Sequence, residues 1–184
     1  KYKDQNGDKI IDSNDRIPVG YSATPEIYYG LNLGLDYKGF DLSVYGYGSA
    51  NTDVSMLTNS NFTPFVNGGV KPTAWVRDNY WTPERGDRAR YPRLSTENNV
   101  NNSQASTLWK RNGAFFCIQN IELGYTFPKR WMSKARIRSL RVYVNVNDPF
   151  VFSKNDDLGW NPQLRNMFVY PSMRSTNFGV QLVF

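Results

Sequence analysis

The sequence predicts an all-β chain, and three observations carry that reading. Apolar and polar residues alternate along several runs of about ten residues, the period of a strand with one apolar side. The runs are joined by connections of two sizes, brief and very long. Sustained helical periodicity is missing; the best candidate, Lys129 to Arg138, is short and follows Pro128.

The first run places Ile27, Tyr29, Leu31, Leu33 and Leu35 on one side and Tyr28, Gly30, Asn32, Gly34 and Asp36 on the other. Tyr37-Lys38-Gly39 reads as a tight turn, and Phe40 to Ser49 resumes the alternation, which makes a hairpin. From Ala50 to Asn112 the chain is rich in Asn, Pro, Gly, Ser and Thr, far longer than an ordinary connection, and such loops are usually functional. Ala114 to Phe127 is a third strand, in which Phe115-Phe116-Cys117-Ile118 breaks strict alternation and marks either a bulge or a stretch buried on both sides. After the basic stretch Pro128 to Arg138, Leu140, Val142, Val144 and Val146 mark a fourth strand. A second irregular loop, Pro149 to Arg174, leads to the last strand, with Phe178, Val180, Leu182 and Phe184 on its apolar side.

A soluble β-sandwich and a membrane barrel both satisfy this alternation. Strands of about ten residues, tilted by about 40°, rise roughly 25 Å, the height of an outer-membrane apolar band. Brief connections alternate with long ones, as periplasmic turns alternate with outer loops in a barrel. The opposite face carries Asn, Asp, Glu, Gln and Gly, as a hydrated lumen requires, while Tyr29, Phe40, Tyr125, Phe127 and Phe184 suit aromatic girdles. Five strands are too few to close a barrel, so the chain is expected to be the C-terminal part of a larger one, whose start lies upstream of Lys1.

Composition excludes several classes. The 22 Lys and Arg exceed the 16 Asp and Glu by a net +6. The densest arginine group, Arg77, Arg85, Arg88, Arg90 and Arg93, is interleaved with Asp78, Glu84 and Asp87, as on a solvated loop, and nucleic acid is not an expected partner. With no His and one Cys, triads, disulfides and most zinc sites are out of reach. No run approaches the roughly 18 apolar residues of a membrane helix. Asp156-Asp157 has no second catalytic group spaced to work with it, and no enzyme is expected.

The strings "DQNGDKIIDSNDRIPVGYSATPEIYYGLNLGLDYKGFDLSVYGYG", "NYWTPERGDRARYPRLS", "IQNIELGYTFPKRW", "SLRVYVNVNDPFVFSK" and "NFGVQLVF" together resemble the C-terminal end of SusC/RagA-type TonB-dependent transporters of Bacteroidetes outer membranes. The resemblance runs through nearly the whole chain. It implies a barrel of about 22 strands, filled by a plug domain that residues 1–184 do not include. It also implies residence in the outer membrane and import of oligosaccharide or oligopeptide. The implied partners are a SusD/RagB-like surface lipoprotein, the lipid bilayer, and TonB through the missing N-terminal region. On this orientation residues 1–26, 50–113 and 149–174 are extracellular loops. The competing reading is a soluble, calcium-stabilised β-sandwich that recognises glycans.

Three candidate sites follow. In "DQNGDKIIDSND", Asp4, Asn6, Asp8, Asp12 and Asp15 stand at positions 1, 3, 5, 9 and 12 of a calcium loop, with the Ile10 carbonyl at position 7. Lys9 stands where an EF-hand has its glycine, and no flanking helices follow, so a structural calcium is expected rather than a sensor; an Asx-rich turn without metal is the plainer alternative. In the long loops, Trp75, Tyr80, Trp81, Arg88, Tyr91, Trp109 and Trp160, together with Phe168 and Tyr170, are candidate contacts for ligand or partner, against ordinary loop packing. Phe178, Val180, Leu182 and Phe184 resemble the terminal signal read by the outer-membrane insertion machinery. A core strand is the alternative for that segment.

Overall fold

The computed structural model describes residues 2–58, 71–95, 97, 99–132, 137–164, 169–170 and 172–184. Its main element is one antiparallel sheet of five strands. They are β1 (Ile27–Tyr37), β2 (Phe40–Ala50), β5 (Phe115–Thr126), β6 (Ser139–Ser153) and β7 (Ser175–Val183), side by side in that order. Two short strands, β3 (Asp53–Ser55) and β4 (Lys110–Asn112), pair with each other beyond the end of β2 and the start of β5. The sheet is not closed, since β1 and β7 each have a neighbour on one side.

The turn between β1 and β2 is as tight as expected. Lys38 and Gly39 both take positive φ, 47° and 90°, the twist that a two-residue hairpin demands. The turn is closed over β5, because the Thr126 N–H donates to the Gly39 carbonyl at 2.7 Å. A side chain at Gly39 would run into the carbonyl of Thr126. Phe127 N–H donates to Leu140 across the other brief connection, which holds the short helix α2 (Lys129–Met132).

The bulge lies at Gln119, just beyond the residues expected to carry it. Tyr45 faces Asn120 and Gly46 faces Ile118, so Gln119 has no counterpart on β2. On the other side, Asn120 faces Asn147 and Ile118 faces Phe150, which leaves Asp148 and Pro149 opposite Gln119. Pro149 lacks an N–H and sits where the ladder needs none; Asp148 absorbs the kink with φ of 48°. The strand β6 therefore continues through Pro149 to Ser153. The irregular connection expected from Pro149 begins only after that residue.

This slip keeps one face apolar along the whole height. Below it, Val44, Ile121 and Val146 share a row; above it, Gly46, Ile118 and Phe150 do. Phe40, Leu42, Leu123, Tyr125, Val142 and Val144 continue that face, with Leu31, Leu33 and Leu35 on β1 and Phe178, Val180 and Leu182 on β7. These side chains are exposed or half-buried rather than packed under a second layer; Phe178 is 83% and Val180 65% accessible. A sandwich would cover this face with another sheet, and the second sheet among the described residues is only the short β3–β4 pair beyond the strand ends.

Aromatic rings band the face at two levels. Phe40 and Tyr125 meet at 4.5 Å between ring centres, Tyr125 and Phe127 at 5.0 Å, and Trp131 lies beside Phe127 at 6.2 Å. At the other end Tyr29 stacks with Phe116 at 6.0 Å, near Phe150 and Phe152, which stack at 6.4 Å. Tyr37 faces Phe40 and Tyr29 faces Gly48; at about 3.3 Å per residue and about 40° of tilt the two levels stand roughly 20 Å apart. The Tyr29 ring fits there because Gly48 has no side chain, and a Cβ would come within 2.6 Å of it.

The orientation is checked by two charges on β1. Leu33→Arg is expected to cost the assembled barrel about 2–4 kcal/mol, and Asn32→Arg, one residue along on the opposite face, less than about 1 kcal/mol. Unfolding of the intact protein in lipid vesicles measures both, and equal losses would overturn the assignment of faces.

Candidate functional site

The long connections fold into a layer of their own at one end of the sheet. The pair β3–β4 lifts the chain off β2 and returns it to β5, and the Gly113 N–H donates to the Thr52 carbonyl at 2.7 Å. Above this stem, Met56, Val76, Tyr91, Trp109, Leu158 and Trp160 form a small core, with Val54, Leu57, Trp75, Tyr80 and Leu94 packed against it. Val76 enters it from a six-residue helix, α1 (Ala74–Asn79), that periodicity did not disclose. Thr73 caps that helix, its hydroxyl accepting from the Val76 N–H.

Tyr91 meets Trp75 at 6.0 Å and Trp109 at 5.4 Å, both edge to face, and the Arg111 guanidinium lies 4.9 Å from the Trp75 ring centre. The Trp109 indole N–H donates to the Asn102 carbonyl, and that of Trp75 to Asp157 in the other long connection. Burial raises the Tyr91 hydroxyl well above its usual range. Asn155, also buried, donates to the Asn112 carbonyl at 2.6 Å. Both long connections are thus one packed body.

The expected contact residues fall into two groups within it. Trp75, Tyr80, Tyr91, Trp109 and Trp160 serve the core, whereas Trp81 is 40% and Tyr170 77% exposed. Phe168 lies outside the described residues. Arg88 donates to the Glu84 carbonyl, and Arg85 to the carbonyls of Arg77 and Tyr80 while stacking on the Tyr80 ring. Arg77 pairs with Asp78 at 2.8 Å and holds that carboxyl below its usual range, in an exposed pair that contributes little stability.

The acidic segment is fastened to this layer. Arg16 donates to Gln104 at 3.2 Å, Tyr2 to the Asn101 carbonyl, and Tyr21 N–H to Asp53 at 2.7 Å. Within it, Asp4 accepts from the N–H groups of Gly7 and Lys9, Asn6 from Asp8, Asp8 from Ile10, and Asp12 from Asn14. Asp15 accepts from Gln5 and Asp12 at 2.7 and 2.9 Å, closing the loop end to end. Lys9, in the place of the expected glycine, nevertheless adopts φ of 65°. The turns are those of a calcium loop, but the carboxylates are turned onto backbone N–H groups. Among the described residues no three Cys, Asp or Glu side chains are gathered closely enough to hold a metal.

On the polar face of the sheet, one cluster was not legible in advance. Arg141 on β6 reaches over β5 to Asp41 on β2 and also donates to Glu122 at 2.7 Å. Glu122 accepts in turn from Asn145, and Asn120 donates to Asn147. The crossing depends on Gly124, where a Cβ would come within 2.6 Å of both the guanidinium and the Asp41 carboxylate.

An open sheet with a banded apolar face, a polar face tied by charges and a layer of long connections at one end has the form of a piece of a membrane β-barrel. The comparisons agree. No protein-family model matches the chain. Over its whole length it is 26% identical to TonB-dependent receptor P26 of Formosa agariphila, and over 90% of its length 29% identical to TonB-dependent receptor P39 of the same organism. It is also 26% identical along its whole length to TonB-dependent receptor SusC of Bacteroides thetaiotaomicron. The chain spans 19%, 16% and 17% of these relatives respectively. Its fold superposes on that of a chain of the RagAB peptide importer in the open-open state with a TM-score of 0.71 at 22% identity, over all of this chain and 20% of that one. The resemblance to SusC/RagA-type TonB-dependent receptors is therefore borne out, and the fold is that of an unclosed portion of such a barrel.

The Asp15 carboxyl is held below its ordinary value of 3.8 chiefly by the N–H groups of Gln5 and Asp12. A lowered folded pKa gives stability that is fully present above the unfolded value and is lost as pH falls through the folded one. Amide exchange of Gln5 and Asp12 is expected to stay protected at pH 5 and to become unprotected only well below pH 4. Loss of protection already at pH 5 would show that Asp15 does not close the loop.

Proposed function

We propose that this chain is part of an outer-membrane importer that takes up oligosaccharide or oligopeptide. The observation that carries the reading is the apolar face, exposed along every strand of the sheet and banded by rings at two levels, combined with similarity to TonB-dependent receptors along the whole chain. The packed layer of long connections is then extracellular, with residues 2–26 on the same side, and the two brief connections face the periplasm. A SusD/RagB-like lipoprotein covers the layer, and TonB acts through a region outside this chain. The RagAB peptide importer is similar in fold, which supports the importer reading.

Deletion of the encoding locus is expected to abolish growth on the imported nutrient, and the protein is expected to leave membranes only in detergent. Recovery in buffer alone would sink this reading in favour of a soluble module.

We further propose that the 4–15 loop binds one calcium ion, which draws Asp4, Asn6, Asp8, Asp12 and Asp15 off the backbone N–H groups and takes the Ile10 carbonyl as well. Donor order and the left-handed Lys9 support this. The ion braces the loop and has no sensor role. Calorimetric titration of the intact protein is expected to show one site that Asp8→Ala weakens at least about tenfold; identical titrations would dispose of it.

A further inference from the structure

The brief connection between β5 and β6 is strongly basic. From Pro128 to Arg138 it holds five Lys and Arg residues, Lys129, Arg130, Lys134, Arg136 and Arg138, and no acidic one. Lys134 and Arg136 lie outside the described residues. The connection is pinned to the sheet at both ends, since Phe127 N–H donates to the Leu140 carbonyl at 2.9 Å and Arg138 N–H to the Val183 carbonyl at 2.7 Å. Between these points the Trp131 N–H donates to the Pro128 carbonyl at 3.0 Å, and the Trp131 ring, 53% exposed, lies beside Phe127 at the edge of the apolar face. Two strand spacings away, about 10 Å, the β1–β2 turn ends at the same level. There the Lys38 ammonium lies over the Tyr37 ring, 5.1 Å from its centre.

These cations line a rim without counter-charges. Lys38, Lys129 and Arg138 are exposed and enter no ion pair among the described residues. The carboxylates at this end belong to the polar face, where Asp36 is opposite Asp41 and Asp41 is held by Arg141. Tryptophan favours the depth between acyl chains and headgroups, and long cationic side chains reach from there toward phosphates. A zwitterionic headgroup brings an ammonium with its phosphate and leaves the rim uncompensated, whereas an anionic phosphodiester neutralises it with charge-assisted hydrogen bonds. Continuity with the apolar band decides for lipid over an acidic protein segment, because Phe127 and Trp131 extend the surface that faces acyl chains directly up to the cations.

We propose that Lys38, Lys129 and Arg138, with Trp131, form a binding surface for anionic phospholipid in the leaflet that the two brief connections enter. The proposal rests on reading the sheet as part of a membrane barrel, and adds to it a lipid preference at one rim. Native mass spectrometry tests it on the intact transporter, released from micelles doped with equal amounts of phosphatidylglycerol and phosphatidylethanolamine of the same chain length. Phosphatidylglycerol is expected to be retained at least about fivefold over phosphatidylethanolamine. Combining Lys38→Gln, Lys129→Gln and Arg138→Gln is expected to erase the preference while heat-modifiable migration of the barrel stays unchanged. Combining Arg77→Gln, Arg90→Gln and Arg93→Gln removes the same charge from the loop layer and is expected to leave the preference intact. Glycerol phosphate in large excess, which has the phosphate without acyl chains, is expected to displace nothing. Should the rim variant lose heat-modifiability, Lys129→Gln alone takes its place, with a fall in preference of at least about twofold expected. Equal retention of the two lipids, an undiminished preference in the rim variants, an equal loss in the loop-layer variant or displacement by glycerol phosphate overturns the lipid surface. A protein that needs detergent yet shows no preference sinks this surface alone, and one that stays in buffer without detergent sinks the barrel reading with it.

Discussion

Backbone amides and carbonyls in hydrocarbon have no water to turn to, so every one must find a partner within the protein. That constraint explains why this chain crosses as strands, why each strand has a register fixed along its length, and why the sheet has two open edges where further strands belong. It also explains the bulge. A strand that slips by one residue presents its polar side to lipid. At Gln119 the slip is matched by Asp148 and Pro149 on the neighbouring strand, and both strands recover the same outward face. Proline, which cannot donate, occupies the one rung that has no bond to give.

The polar side obeys a different rule. Water can enter there, yet the strands still have to be held against one another. Arg141 spans from β6 to β2 and gathers Asp41 and Glu122 around one guanidinium. Glycine is the enabling residue on both sides of the sheet. Gly124 lets the ion pair pass over β5, Gly179 admits the Tyr143 ring, and Gly48 admits that of Tyr29. Large groups are laid flat across strands because their neighbours have none.

Local signals read well where they reported on the strand itself. Alternation located all five long strands and their apolar sides, and Lys38-Gly39 marked the hairpin. What alternation could not show was anything set by residues far apart in the chain. Asp41 and Arg141 are one hundred positions apart, and the same holds for the loop core, where Met56, Trp109 and Trp160 come from three separate stretches. The helix α1 was missed because six residues make too short a run for a period of 3.6 to emerge. Pro149 misled for a sound reason, since proline usually ends a strand, and only the pairing with Gln119 reveals the exception. For the aromatic loop residues composition offered two roles, and packing shows which ones are occupied within the protein.

The separate core of the loop layer has a consequence for how such a protein can change over generations. Because the layer is packed about side chains of its own, substitutions on its surface leave the strands of the sheet untouched. Changes on the surface of the layer can then accumulate without reopening the register and facing of the strands. The sheet answers to one set of physical constraints, and the layer above it to another.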